Sequence, residues 1–500
     1  MGRMPPKVIE LIDSLRFRNV FYFLIFLVFS TQIFPEEVSK NYPESKVQTY
    51  SFPILDAPFN TNRGSILTEN NSPVPSMEQS LNVTKNSIQL SHRAIFYGFD
   101  KIEFMNENPV WKRIGLIFFD LLFYTTPLPF NISWLHEEWH RAVLGNRGIF
   151  SFNDVYIAKP FAESISVSHV KDSELIRLKK DHPADMIRLS ASGMEAQTQL
   201  NLQIRKDTFF NGTPAFLDSP TLWINATNNI GYLQTCSGRS ADKFTISANL
   251  QERNISKRDF VGLDCNAWVY DLFRPNEPYE MRGIHPTGFG IDRYIKYSNE
   301  TNLNTRMQNY LLYGNSSRHS DLTKQEQDYL NKQYHLSYLN LINPAIIGKS
   351  RFTATNPFNG KEFFWNFGIA HFLTSFGYSV DVQFFYKQEN INLVFIYHTY
   401  ANAFTKLPGL EFEIIRYPIN VFGKQSFLNV GLHVWLQPNQ QKFWTTEREA
   451  GGLVRVTLSF PIIENIEVFI SPSFKSRGWV AGNVYLDKAA ELRLGLNLIF

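Results

Sequence analysis

YSVDVQFFY, Tyr378 to Tyr386, sets Tyr378, Val380, Val382, Phe384 and Tyr386 on one side of an extended chain and Ser379, Asp381 and Gln383 on the other. Successive side chains alternate across a strand, so this period predicts a strand with one apolar and one polar face. After a polar turn at 387–390, INLVFIYHTY returns with Ile391, Leu393, Phe395 and Tyr397 on one face. LNVGLHVWL (Leu428 to Leu436), VRVTLSF (Val454 to Phe460) and IEVFISPSF (Ile466 to Phe474) repeat the pattern. In ELRLGLNLIF, Leu492, Leu494, Leu496, Leu498 and Phe500 oppose Glu491, Arg493, Gly495 and Asn497.

About eight such strands over 351–500, each near the ten or so residues that cross a bilayer at a tilt, form the pattern of an antiparallel transmembrane β-barrel. A last strand ending in an aromatic residue resembles the assembly signal of bacterial outer-membrane barrels. That resemblance implies the outer membrane of a Gram-negative-type envelope, with the lipid bilayer as a partner. The same alternation fits a soluble antiparallel barrel whose apolar face points inward. A barrel of about eight strands has an interior filled by side chains, so it would anchor rather than conduct.

Composition narrows the classes. The 500 residues carry 49 Lys and Arg against 46 Asp and Glu, a formal charge of +3 with the two signs interspersed, so no basic footprint for nucleic acid is present. The 44 Phe and 22 Tyr suit a chain with much buried or lipid-facing surface. Cys236 and Cys265 are too few for a disulfide-dense scaffold and leave room for one disulfide. The Asn-x-Ser/Thr triplets at Asn82, Asn131 and Asn211 reflect a chain rich in Asn and Ser.

Arg16 and Arg18 precede the apolar run Val20 to Ser30, the layout of a secretory signal; without an A-x-A-like site after it, an uncleaved anchor is the alternative over 1–34. Residues 35–91, rich in Ser, Asn, Pro and Thr, are expected to form a flexible linker. A helix-rich domain is expected over 92–350, including the apolar segment Ile114 to Phe130, which is short for a span. The fold class is therefore α+β, a helix-rich domain followed by the sheet.

WLHEEWHRAVLG, Trp134 to Gly145, carries the chemistry. Ser133 is placed to cap a helix and Gly145 to end it. A spacing of four sets His136 and His140 one turn apart on the same face, where both imidazoles reach one Zn2+, and Glu137 leans over the same position as general base. Leu135, Trp139, Ala142 and Val143 form an apolar stripe that predicts a partly buried helix. The bland reading is a pair of structural histidines.

This H-E-x-x-H arrangement resembles zinc metallopeptidases, in particular those of gluzincin type. The extended metzincin pattern fails at Val143 and Asn146. The resemblance implies a third ligand from a glutamate on a later helix, and SASGMEAQTQL, Ser190 to Leu200, offers Glu195 behind the small residues Ala191, Ser192 and Gly193. Asp264 in VGLDC is the second candidate, by a looser similarity to site-2-type membrane proteases, with Cys265 in place of a glycine. His182 and Asp185 are weaker ones. Asp120 could orient a ligand imidazole from outside. The loop Tyr270 to Ile295 offers Arg274, Arg282 or His285 to a peptide carboxylate or oxyanion.

The expected function is a membrane-associated zinc metallopeptidase that hydrolyses exported or membrane proteins. The alternatives are a non-peptide amidase with the same metal chemistry, and a structural or transport barrel with a non-catalytic helical module. Oligomeric state is not legible.

Overall fold

The computed structural model describes residues 48–61, 74–107, 109–124, 126, 128–155, 165–238, 240–242, 262–279 and 319–500. The expected signal or anchor over 1–34 lies outside them. In chain order the main elements are β1 (Thr49–Ala57), α1 (Met77–Asp100), α2 (Pro109–Tyr124), α3 (Ile132–Asn146), β2 (Phe152–Val155) and β3 (Ile165–Ser168). Helices α4 (Asp172–Asp181), α5 (Pro183–Asn211), α6 (Ala215–Cys236), α7 (Asp264–Phe273) and α8 (Lys324–Ser337) follow. Nine strands then run from β4 (Phe352–Thr355) through β5 (Glu362–Thr374), β6 (Gly377–Gln388), β7 (Ile391–Ala401), β8 (Lys406–Val421), β9 (Lys424–Pro438), β10 (Arg448–Ile463) and β11 (Ile466–Lys475) to β12 (Ala489–Ile499).

The described residues fall into two compact units, one within Val170–Ala191 and Thr227–Tyr338, the other within Phe34–His169, Ser192–Ala226 and Leu339–Phe500. In the first, a disulfide joins Cys236 at the end of α6 to Cys265 at the start of α7. Lys179 on α4 holds Asp271 at 2.7 Å and donates to the carbonyl of Arg274. Arg274 in turn grips both oxygens of Glu326, at 2.9 and 2.8 Å, so its fork is committed to α8 and not to a substrate. Arg282 and His285 lie outside the described residues.

The second unit is built on a ten-stranded antiparallel sheet in the order β1-β12-β11-β10-β9-β8-β7-β6-β5-β4. Every alternating stretch of the sequence lies in one of its strands. Two expectations need correction. The expected linker over 35–91 contains β1, which pairs with β12 from Thr49↔Ile499 to Ala57↔Leu492, and the first half of α1, opened by a Ser76–Gln79 capping box. The sheet, moreover, is not closed: β1 and β4 are its two ends and do not pair. β4 is only four residues long, and beyond it the edge of β5 is met by Asn340 and Ile342, whose oxygens accept from His371 N and Ile369 N. A short edge strand continued by an irregular segment offers no ladder for a closing partner.

The two faces of the sheet differ in an unusual sense. Val382, Phe384, Phe395, Tyr397, Leu410, Phe412, Leu432 and Val434 stand exposed on one face, whereas Asp381, Gln383, His398 and His433 are buried on the other. The second half of α5 packs on this inner face. Leu202, Phe209 and Phe210 meet Phe385, Val394 and Ile396, and Arg205 donates to Gln383 and to the carbonyl of Phe367. Arg351 and Lys387 donate to the carbonyls of Phe209 and Phe210, supplying donors and positive charge where the helix end leaves acceptors. Arg416 on β8 reaches both oxygens of Glu467 on β11, across two intervening strands, so the sheet curls around its polar side.

Candidate metal centre

Helix α3 starts two residues before the point its sequence alone suggests. Asn131, not Ser133, is the cap, its side chain accepting from Trp134 N at 3.2 Å, and the helix continues through Gly145 to Asn146. The apolar stripe behaves as expected: Leu135, Trp139, Ala142 and Val143 are fully buried. Burial of that stripe fixes the rotation of the helix and with it the direction of the two histidines.

The imidazoles of His136 and His140 lie 4.9 Å apart between ring centroids, at 63°. Both belong to a group of side chains whose ligand atoms are close enough to hold one metal ion. Their seat is made by α5. A Cβ built on Gly193 would fall 2.3 Å from His136 Nε2, so only glycine leaves room for that ring, and Ser192 Oγ lies 3.2 Å from His140 Nδ1. Ser192 at Nδ1 fixes the His140 ring in an orientation that would turn Nε2 toward a metal. The sequence marks Ser192 and Gly193 only as small residues; their roles appear when the two helices meet.

Glu137 Oε2 accepts from the backbone amide of Val167 on β3, at 3.2 Å. The next carboxylate, Glu138, faces the other way. It is buried, takes Arg141 Nη1 and Asn153 Nδ2 at 2.6 Å each, and so ties α3 to β2. Burial pushes its carboxyl up to about 7, against the pull of the Arg141 guanidinium. The hairpin of β2 and β3 is thus anchored by one glutamate while it touches the other.

Glu195 does not join the histidines. It is fully buried, and its two oxygens take Trp479 Nε1 at 3.3 Å and Gly482 N at 3.0 Å, both from the segment between β11 and β12. Among the described residues it belongs to no cluster able to hold a metal ion. The same holds for His182, which closes α4, and for Asp185, buried in the first turn of α5. Asp264 opens α7, where its backbone N–H donates to Tyr232 Oη at 3.1 Å. Asp120 is occupied elsewhere: its oxygens meet His92 Nε2 at 2.7 Å and Thr221 Oγ1 at 2.9 Å, so it orients neither ligand imidazole.

The chain matches no known protein family, no curated protein and no solved structure.

Gly193→Ala is expected to displace the His136 ring and weaken metal binding by about tenfold or more, the low end of what disturbing a ligand's support costs. Metal titration of the purified variant checks this; unchanged affinity would mean that the ring does not hold the metal from that seat.

Proposed function

We propose that the protein is a membrane-associated zinc metallopeptidase acting on exported or membrane proteins. The observation that carries the reading is the seat of His136 and His140 on one face of α3, relieved of a side chain by Gly193 and lined by Ser192, with Glu137 on the adjoining face. Two imidazoles and a carboxylate suit Zn2+. With Glu195 committed to Trp479 and Gly482, the third ligand that such a zinc needs is a residue other than Glu195.

Zinc held there would acidify water and polarise the carbonyl to be cleaved. Glu137 takes the proton that a water molecule gives up and returns it to the departing amine. Ser192 at His140 Nδ1 and Gly193 beneath His136 seat the two rings against α5, and the β3 amide at Glu137 Oε2 orients the carboxylate.

Membrane association is supported by the inverted faces of the sheet. A soluble sheet buries its apolar face, whereas this one exposes a continuous row of Val, Phe, Tyr and Leu and buries its polar row. Lipid is the solvent that such a face fits, in an outer-membrane setting. Among the described residues no helix is long and apolar enough to cross a membrane, so the contact with lipid is assigned to the strands.

The test is elemental analysis of the detergent-purified chain. The double variant His136→Ala/His140→Ala is expected to carry one zinc equivalent fewer than wild type, and Glu137→Gln as much as wild type. Equal zinc in wild type and the double histidine variant overturns the metal centre, and the helices then serve as a packing module on the sheet.

A further inference from the structure

Three donors outside the α3 site converge on the polar face of the sheet. His398 on β7, Glu411 on β8 and His433 on β9 offer ligand atoms that all lie within 4.8 Å of one another. The register explains why. Glu411 pairs directly with His433 and sits across from Ile396, which makes His398 its diagonal neighbour on the same face. Both histidines are 3% exposed, and their rings stack 4.5 Å apart at 22°.

The outer nitrogen of each ring faces a polar group, His433 in a hydrogen bond and His398 in an ion-pair contact without hydrogen-bond geometry. Asp381 Oδ1 lies 2.9 Å from His398 Nδ1 and itself accepts from Ser379 Oγ at 2.5 Å. Tyr400 Oη lies 2.9 Å from His433 Nε2. Gly409 makes room for that tyrosine, since a Cβ there would come within 2.6 Å of the Tyr400 ring. The inner nitrogens, His398 Nε2 and His433 Nδ1, stand 3.5 and 3.9 Å from Glu411 Oε2 and make no hydrogen bond.

Buried ring nitrogens left without hydrogen bonds cost stability unless something else takes their lone pairs. A carboxylate or hydroxyl on the outer nitrogen of each imidazole is the arrangement that turns the inner nitrogen toward a metal. The local charge favours a cation as well: Asp381, Glu411 and Glu413 gather here, and Lys206 is paired with Glu413.

We propose that His398, Glu411 and His433 form a second metal site, which takes a divalent cation of the zinc and cobalt class and ties β7, β8 and β9 together. Two nitrogens and one oxygen select that class over magnesium or calcium, and a fourth position remains for water. Closing a tetrahedral site brings ligand atoms to about 3.4 Å apart, a side-chain movement of about 1 Å from the present positions. Asp381 and Tyr400 are positioning residues.

The proposal is independent of the α3 site and is tested where that site is absent. The full-length His136→Ala/His140→Ala chain in detergent, titrated with Co2+, is expected to bind one equivalent and to develop the visible absorption of tetrahedral cobalt. Adding His433→Ala should abolish both. Adding Asp381→Asn should weaken binding about 10- to 100-fold with one equivalent still reached at saturation. Should His433→Ala fail to fold, Glu411→Gln, which keeps the shape and removes the charge, serves instead. No cobalt in the double histidine variant, or cobalt retained after His433→Ala or Glu411→Gln, overturns the second site. Failure of the α3 reading has a different signature, equal zinc in wild type and the double histidine variant.

Discussion

Glu137→Gln is expected to lower peptide turnover by about 10²- to 10⁴-fold, the usual contribution of a positioned general base, with metal content unchanged. The replacement is nearly isosteric and retains an oxygen to accept the Val167 amide at 3.2 Å, so the geometry of α3 against β3 should persist. What disappears is the ability to hold a proton. Turnover of a quenched fluorescent peptide and elemental analysis on the same preparation check both halves. A loss below tenfold with metal retained would remove Glu137 from the chemistry. Loss of the metal along with turnover would make it a support of the site instead of its base. Glu138 provides the contrast, since it anchors β2 through Asn153 and pairs with Arg141. Glu138→Gln should act on folding before it acts on turnover.

The parts of this molecule that have a local period were legible. Strands β6, β7 and β9 to β12 follow alternation that needs only a few residues to display, and α3 follows a stripe at 3.6 spacing. β1 was not legible, because Pro53 and Asp56 interrupt TYSFPILDA and its partner β12 is at the far end of the sequence. β4, with four residues, is too short to show a period. The open edge between them is likewise a property of which strands meet, which no strand carries alone.

At the candidate site the same division holds. His136, Glu137 and His140 occupy neighbouring turns of one helix, so their spacing is their geometry. Glu195 has the right chemical type on the right helix, but Trp479 and Gly482, distant in sequence, claim its oxygens. The cluster of His398, Glu411 and His433 leaves no motif at all, since three strands contribute one donor each and only their register brings them together.

His92→Ala is expected to destabilise the chain by about 3–5 kcal/mol, the cost of removing one member of a buried charge network. His92 on α1 is fully buried between two carboxylates: Nε2 meets Asp120 of α2 at 2.7 Å and Nδ1 meets Asp218 of α6 at 3.0 Å. Thr221 Oγ1 and Thr208 Oγ1 each donate at 2.9 Å to the remaining oxygens, so four helices converge on one imidazole. Burial opposes the charged ring, but the two carboxylates outweigh it and push the pKa up to about 10. A histidine raised in this way gives its full stabilisation below the unfolded value of about 6.5 and loses it as pH climbs through 10. Alanine leaves Asp120 and Asp218 facing each other without the cation, and burial raises the pKa of Asp120. Heat or denaturant unfolding of the full chain measures the cost, and the same experiment between pH 7 and 10 measures the linkage. Wild type should lose stability across that window relative to His92→Ala, so the difference between the two should shrink as pH rises. A constant difference would mean that the ring is already neutral at pH 7 and that the network holds by hydrogen bonds alone.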